Sequence, residues 1–267
     1  MTPRVVIDDL AQLQQTFATA FEAQAREVIA RRGKFIVALP GGSVAPAFFP
    51  ALATRAIDWT RVECFWIDER AVPPDHPDSN FALASRLLLV PARVPPGRIH
   101  RMHGELPDLD QAARRAADEL KSIAGDPPHL DLALAGAGED GHVASIFPSV
   151  SAGLSADLSA DLSAEARSAK VEARSAKVEA RSAKADSVFA VYDSPKPPAR
   201  RLTLALSVLA GAGLVVVAAF GASKAAVMRR ALDESDRSTP VARLLRSASS
   251  SLVLLDRAAG AGGSRVP

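Results

Sequence analysis

Leu130-Asp-Leu-Ala-Leu-Ala135 runs directly into Gly136-Ala-Gly-Glu-Asp-Gly-His142-Val-Ala-Ser145. The first six residues read as a buried strand, and the glycines that follow require a tight turn at its carboxyl end. Positions 136, 138 and 141 match the Gly-x-Gly-x-x-Gly spacing of a dinucleotide site. The match is weak, because Glu139 and Asp140 lie inside the loop and would repel a pyrophosphate. The loop also comes late in the chain, whereas such sites usually occupy the first strand-turn-helix unit. The turn is better read as a device that brings backbone N–H groups, Asp140 and His142 to a strand end. A carboxylate two residues from an imidazole can fix its tautomer for proton transfer. On spacing alone His142 could instead cap a following helix.

On either side of this turn, strand-like runs alternate with helical patterns. Strands are expected at Phe35–Leu39, Val62–Ile67, Leu130–Ala135, Val188–Val191, Leu202–Leu206, Leu214–Phe220 and Leu252–Leu255. Helices are expected at Asp9–Arg32, Ala45–Arg55, Asn80–Leu89, Asp108–Ala124 and Lys224–Leu232. Alternation of this kind predicts one α/β domain over residues 1–267, with a mostly parallel, doubly wound (Rossmann-like) sheet flanked by helices. Ligands of such sheets sit at the carboxyl ends of strands, so the strand-to-helix loops should carry the chemistry.

The 267 residues suffice for a full core, and 48% hydrophobic with 23% charged residues is ordinary for a globular enzyme. The formal net charge of +2 arises within residues 165–186, where six Lys/Arg face four acids. The rest of the chain balances, so no nucleic-acid partner is expected. Cys64, the single cysteine, lies in the apolar run Val62-Glu63-Cys64-Phe65-Trp66-Ile67 and reads as a small core residue. The opening residues Met1–Asp9 contain no apolar secretory core, which points to the cytoplasm. Leu202–Ser223 is uncharged and long enough to span a bilayer. Its glycines at 211, 213 and 221 favour two strands joined by a short turn or helix, so no membrane association is expected. Nor is an obligate protein partner.

Residues 155–184 break the alternation. Ser-Ala-Asp-Leu occurs twice, and Glu-Ala-Arg-Ser-Ala-Lys three times, from Glu165, Glu172 and Glu179. A coiled-coil seam needs two apolar positions per heptad, and these repeats offer one at most. The segment reads as a low-complexity insertion in a surface loop with no catalytic role.

Several strand-end loops suit an anion. Pro40-Gly41-Gly42-Ser43 feeds a helix and presents backbone donors. Arg70, in Ile67-Asp68-Glu69-Arg70, can grip a phosphate through its planar fork, or pair with Asp68 or Glu69 at the surface. Asp193–Arg201 places Lys196, Arg200 and Arg201 in a proline-stiffened loop, and Gly221-Ala-Ser-Lys224 opens a helix after an apolar strand. Asp75-His76-Pro77-Asp78 resembles a metal cluster only superficially and reads as a turn and helix start. Loops with cations or glycine donors beside one with Asp/His are what a sugar phosphate would require.

These residues, in this order, resemble the 6-phosphogluconolactonase family. The matching stretches are Pro40–Ser43, Phe65–Arg70 with Asp78-Ser-Asn80, Gly136–Pro148, Asp193–Arg201, Gly221–Lys224 and Leu254–Ala259. The resemblance implies hydrolysis of 6-phospho-D-glucono-1,5-lactone in the oxidative pentose phosphate pathway, without metal or organic cofactor. It implies His142 as the general base that activates water, oriented by Asp140. It implies phosphate held by Arg70 and Lys196, with Gly41, Gly42, Ser43, Asp68, Arg200, Arg201 and Lys224 as further substrate contacts. Ala137 and Val143 depart from the Met and Thr common around this turn. Ala210-Gly-Ala-Gly213 is less polar than usual, but no proposed functional side chain is lost.

Two other functions share the fold by resemblance. An amino-sugar-phosphate deaminase/isomerase would use a glutamate five residues after the histidine, where this chain has Phe147. A non-catalytic sugar-phosphate-binding module would have no need of the intact Asp140/His142 pair.

Overall fold

A computed structural model describes residues 2–148 and 186–261. The repeats expected to form an insertion at 155–184 lie outside the described residues. The chain begins with β1 (Arg4–Asp8), α1 (Leu10–Arg32), β2 (Phe35–Leu39) and α2 (Val44–Ala53). Then come β3 (Val62–Trp66), the short β4 (Asp68–Arg70), and α3 (Asn80–Ala84), which continues into a π-helical turn at Ser85–Leu89. α4 (Leu109–Ala124) leads to β5 (Leu132–Gly136). The second described stretch holds β6 (Val188–Val191), β7 (Arg201–Leu204), α5 (Leu206–Ala210), β8 (Leu214–Ala219), α6 (Ala225–Leu232), α7 (Pro240–Ser247) and β9 (Ser251–Asp256).

Local chemistry sets these limits. Asp9 caps α1 by accepting from the Gln12 N–H, and Gly33 ends the helix at φ 78° with its N–H on the Ile29 carbonyl. Asp108 caps α4 in the same way on Gln111, and Thr239 caps α7 on Ala242, with Pro240 in the first turn.

Six strands form a parallel sheet in the order β1-β9-β8-β5-β2-β3. Helices cover both of its faces. Phe17, Phe21 and Val28 of α1 and Phe48, Phe49 and Leu52 of α2 pack on one side with Leu132, Val216 and Leu254 of the strands. α4, α6 and α7 pack on the other, against Ala133, Val217 and Val253. The expected doubly wound sheet is therefore present.

One part of the expectation is corrected. β7 is not a strand of the parallel sheet; it joins β4 and β6 in a separate antiparallel sheet of order β4-β7-β6. The reason is the length of the link. Residues 192–200 join β6 to β7, too short a stretch for a crossover, and strands so connected return antiparallel. The uncharged run 202–223 is taken up by β7, α5 and β8. No helix among the described residues is long and apolar enough to cross a membrane.

Phe48 ties α2 to its neighbours. It is fully buried, stacks on Phe17 (centroids 4.7 Å apart, planes at 20°) and meets the edge of Phe220 (5.6 Å). Phe48→Ala should therefore cost about 3–5 kcal/mol of unfolding free energy, read as a fall in the urea midpoint; an unchanged midpoint would show that this aromatic contact is not part of the stabilising core.

Candidate active site

β2 and β5 pair only at Val37–Leu132 and Ala38–Ala133. Beyond that point they part. The Leu39 carbonyl accepts from Ile67 N–H (2.9 Å), while β5 continues beside β8 as far as Gly136. The chain also reverses here, with β3 on one side of β2 and β5 on the other. A crevice opens at such switch points in α/β sheets, at the carboxyl ends of the strands. This one encloses about 180 Å³, and Gly41, Gly42, Ser43, Asp68, Arg70, Asn80, His142, Lys196, Arg201 and Lys224 are among the residues lining it.

The histidine turn is built by its glycines. Gly138 N–H donates to the His142 carbonyl (2.9 Å), and Gly141 N–H to the Gly138 carbonyl (3.0 Å). A Cβ on Gly138 would stand 1.9 Å from His142 Nδ1 and 2.5 Å from Asp140 Oδ1, so a side chain there would expel the pair. Gly141 sits at φ 84°, and its carbonyl accepts from Val241 N–H (3.0 Å), anchoring the turn to α7. His142 Nδ1 lies 2.5 Å from Asp140 Oδ1.

Burial tends to raise the Asp140 pKa. The hydrogen bond from His142 and the nearby positive charge outweigh it and hold the carboxyl at about 2. An ionised carboxylate can only accept, so Nδ1 is the donor and Nε2 is the ring nitrogen left for chemistry. Residues 143–148 are not helical; Val143 and Ile146 exchange backbone hydrogen bonds across a tight turn. His142 therefore caps no helix directly after it, and the glycines precede no dinucleotide-type helix there.

The opposite wall depends on Glu69. Its buried carboxylate accepts from the N–H groups of Arg70 (2.7 Å), Asn80 (2.7 Å) and Phe81 (2.8 Å) and from Ser79 Oγ (3.0 Å). Burial pushes its pKa up, and these hydrogen bonds oppose the rise. They pin β4 to the start of α3 and so carry Asn80 into the crevice. Asn80 Nδ2 donates to the Asp68 carbonyl (2.9 Å) and to Asp68 Oδ1 (3.1 Å), and Ser145 Oγ donates to Asp68 Oδ2 (2.7 Å). Arg70 Nη1 donates to the Asp78 carbonyl (2.6 Å). The Asp75–Asp78 stretch is the expected turn, with Asp78 N–H donating to His76 Nδ1 and Ser79 capping α3.

Arg201 is buried. Its Nε donates to the Pro198 carbonyl (3.0 Å), and its Nη2 to the carbonyls of Lys196 (3.0 Å) and Pro197 (3.1 Å). Its Nη1 lies 4.0 Å from Asp68 Oδ2. Burial lowers its pKa, and Asp68 opposes that. The guanidinium thus folds the proline loop back on itself and helps to bring Lys196 to the crevice. Lys224 Nζ stands 3.8 Å from Glu139 Oε1, with its pKa lowered by burial against the pull of that carboxylate.

The structure brings together nearly all the residues singled out from the sequence. Asp140 stands behind His142 and does not itself line the crevice. Arg200 lies elsewhere: its guanidinium donates to the Pro107 carbonyl (3.1 Å) and lies over the Tyr192 ring at 5.8 Å. Sequence reasoning did not single out Asn80 or Ser145 as site residues. The visible signal was Ser79 as a helix cap, which places Asn80 at the first helical position; nothing marks Ser145 except its place three residues after His142.

Fold and crevice together define an α/β protein with a crevice lined by Arg70, Lys196, Arg201 and Lys224 beside a histidine–carboxylate pair. Residues 8–254 match the family model described as Glucosamine-6-phosphate isomerases/6-phosphogluconolactonase, and the chain belongs to this family. The 6-phosphogluconolactonase of Mycobacterium tuberculosis is 33% identical over 242 residues, 87% of each chain. A chloroplastic 6-phosphogluconolactonase 3 from Arabidopsis thaliana is 30% identical over 255 residues, 89% of this chain and 68% of that one. The crystal structure of 6-phosphogluconolactonase from Leishmania guyanensis superposes with a TM-score of 0.72 at 26% identity, covering 99% of this chain and 100% of that one.

The Asp140 environment fixes a pH dependence. Its folded pKa lies below the ordinary aspartate value of 3.8, so the stabilisation is fully present above that value and is lost as pH falls through about 2. The stability difference between the protein and Asp140→Asn should narrow as pH falls from about 4 toward about 2, followed by thermal denaturation. A difference that stayed constant across that window would place the interaction elsewhere.

Proposed function

We propose that the chain hydrolyses 6-phospho-D-glucono-1,5-lactone to 6-phospho-D-gluconate, the lactone-opening step of the oxidative pentose phosphate pathway. The observation that carries this reading is the His142–Asp140 pair in a crevice that also holds Arg70, Lys196 and Lys224. Asp140 keeps the Nδ1 proton in place, and Nε2 takes a proton from water as its oxygen bonds to the lactone carbonyl carbon. Backbone N–H groups at a glycine turn stabilise the oxyanion. As the carbonyl re-forms, the bond to the ring oxygen breaks and the imidazolium returns its proton to that oxygen. Water adds across the ester, and the step uses protein groups and water alone.

Arg70 and Lys196 are the proposed phosphate grips, aided by Gly41, Gly42, Ser43, Lys224 and Arg201. Arg70 Nε is buried without a hydrogen-bond partner among the described residues, which supports its role as a donor to substrate. The Asp68 carboxylate and Asn80 Oδ1, which is buried without a hydrogen-bond partner among the described residues, suit sugar hydroxyls. Phosphate held away from the carbonyl supplies orientation at the reacting carbon. The family description also covers amino-sugar-phosphate isomerases; against that activity here, the ring beside His142 is Phe147 and not a carboxylate.

The family match runs from residue 8 to 254, across the repeats, which supports one catalytic domain for the whole chain. The single, buried Cys64 needs no oxidising compartment, and the cytoplasm is proposed.

His142→Ala should lower kcat by roughly 10²–10⁴-fold in a lactone assay corrected for spontaneous hydrolysis; an unaltered kcat would overturn the assignment. Arg70→Ala should mainly raise KM, and an unchanged KM would remove Arg70 from the phosphate grip.

A further inference from the structure

Phe147 is not among the residues lining the crevice, yet it lies against His142, which is. Its ring centroid is 4.6 Å from that of His142, with the two planes 34° apart. The Arg201 guanidinium carbon stands 6.0 Å over the same phenyl ring. Phe147 is itself buried, and its place is fixed from several directions. Ala144 takes a left-handed conformation (φ 52°), and Val143 and Ile146 close a turn through paired backbone bonds (3.2 and 3.0 Å). Ser145, inside that turn, is held by Asp68 through its hydroxyl and by Thr203 Oγ1 through its N–H (3.3 Å). The chain is thereby bent so that the fifth residue after His142 comes back beside it.

One hydrogen bond fixes the direction of a single ring nitrogen. The bond from Nδ1 to Asp140 therefore leaves the plane of the imidazole free to tilt about that contact. A flat neighbour against the ring removes the remaining freedom and so sets where Nε2 points. We propose that Phe147 is a positioning residue for lactone hydrolysis. It holds the plane of the His142 imidazole so that Nε2 meets the attacking water, and Arg201 keeps the phenyl ring in place for that task. The inference rests on the lactonase reading and on His142 as the base.

Aromatic contacts of this kind contribute enough to alter a rate by about 3- to 10-fold. Phe147→Leu should therefore lower kcat by about that factor. Affinity for 6-phosphogluconate, measured by calorimetry, should stay unchanged, because Phe147 does not line the crevice. Phe147→Tyr, which keeps the flat ring, should recover most of kcat. An unchanged kcat in Phe147→Leu overturns the proposal. So does product affinity that weakens in step with kcat, or a tyrosine variant no better than leucine.

If Phe147→Leu does not fold, the unmodified protein still decides. Its His142 ring-proton NMR signals, assigned by their loss in His142→Gln, should lie upfield of those from the exposed His76 and His129. Signals at ordinary positions overturn the contact. A wild-type chain without lactonase activity defeats the proposed function itself. Activity that needs His142 but ignores Phe147 defeats only this inference.

Discussion

The short ladder between β2 and β5 is the constraint on which the site depends. At the amino end the two segments are locked together: Asp131 N–H donates to the Ile36 carbonyl, and the Asp131 carboxylate accepts from Ile36 N–H, both at 2.8 Å. Arg32 pairs with the same carboxylate. At the carboxyl end Ile67 competes for the same strand, taking the Leu39 carbonyl that β5 would otherwise approach. Buried backbone groups require partners, and once one neighbour is bonded another is turned away. The carbonyl of Ile67 then accepts from Leu204 N–H (2.8 Å), so one residue joins the parallel sheet to the antiparallel one. Asp68, Arg70 and Arg201 follow directly from that junction.

The cations of the crevice do different work. A buried guanidinium is costly unless its donors are used. Arg201 uses three of them on carbonyls of a loop containing Pro195, Pro197 and Pro198, whose prolines have no N–H to organise the loop from within. Arg201 is thus a clasp first and a charge second. The positive charges of Lys196 and Lys224 act on Glu139 and Asp140. The acidic turn and the cationic loops are therefore one electrostatic unit. Asp140 stays ionised partly because of the cations across the crevice, and that ionisation decides which imidazole nitrogen is free.

How much was legible follows from what a sequence pattern records. Phe35–Leu39 and Val188–Val191 are strands at the expected residues, because each is a continuous apolar run with clear limits. β1 was not anticipated: only Val5, Val6 and Ile7 stand between charges, and as an edge strand it is half exposed. α7 was not either, since Pro240 looks like an interruption and is in fact its first residue. β7 was legible as a strand but not its partners, because pairing depends on the length of the link before it. Asp140 and His142 could be read together because one turn holds both. Asn80 and Ser145 could not, because each bonds to Asp68, which is distant in sequence from Ser145 and meets Asn80 only because the Glu69 clamp carries Asn80 to it. Arg200 and Arg201 look alike on paper; at the entry to a strand successive side chains point to opposite sides, and only Arg201 turns inward.

The glycine spacing at 136, 138 and 141 shows why a motif needs its reason. Gly136 leaves room for Val44, whose Cγ2 would lie 2.9 Å from an added Cβ. Gly141 supplies a left-handed turn against Thr239. Gly138 leaves room for the imidazole and carboxylate of its own loop. In a dinucleotide site the same absences admit a pyrophosphate. The pattern therefore reports that something approaches the backbone closely, not what approaches. Here the space is filled from within by His142 and Asp140, so this turn has no room left for a phosphate. Anion binding has to come from other strand ends, and the crevice draws its cations from β4, from the loop before β7, from the first residue of β7 and from the turn after β8.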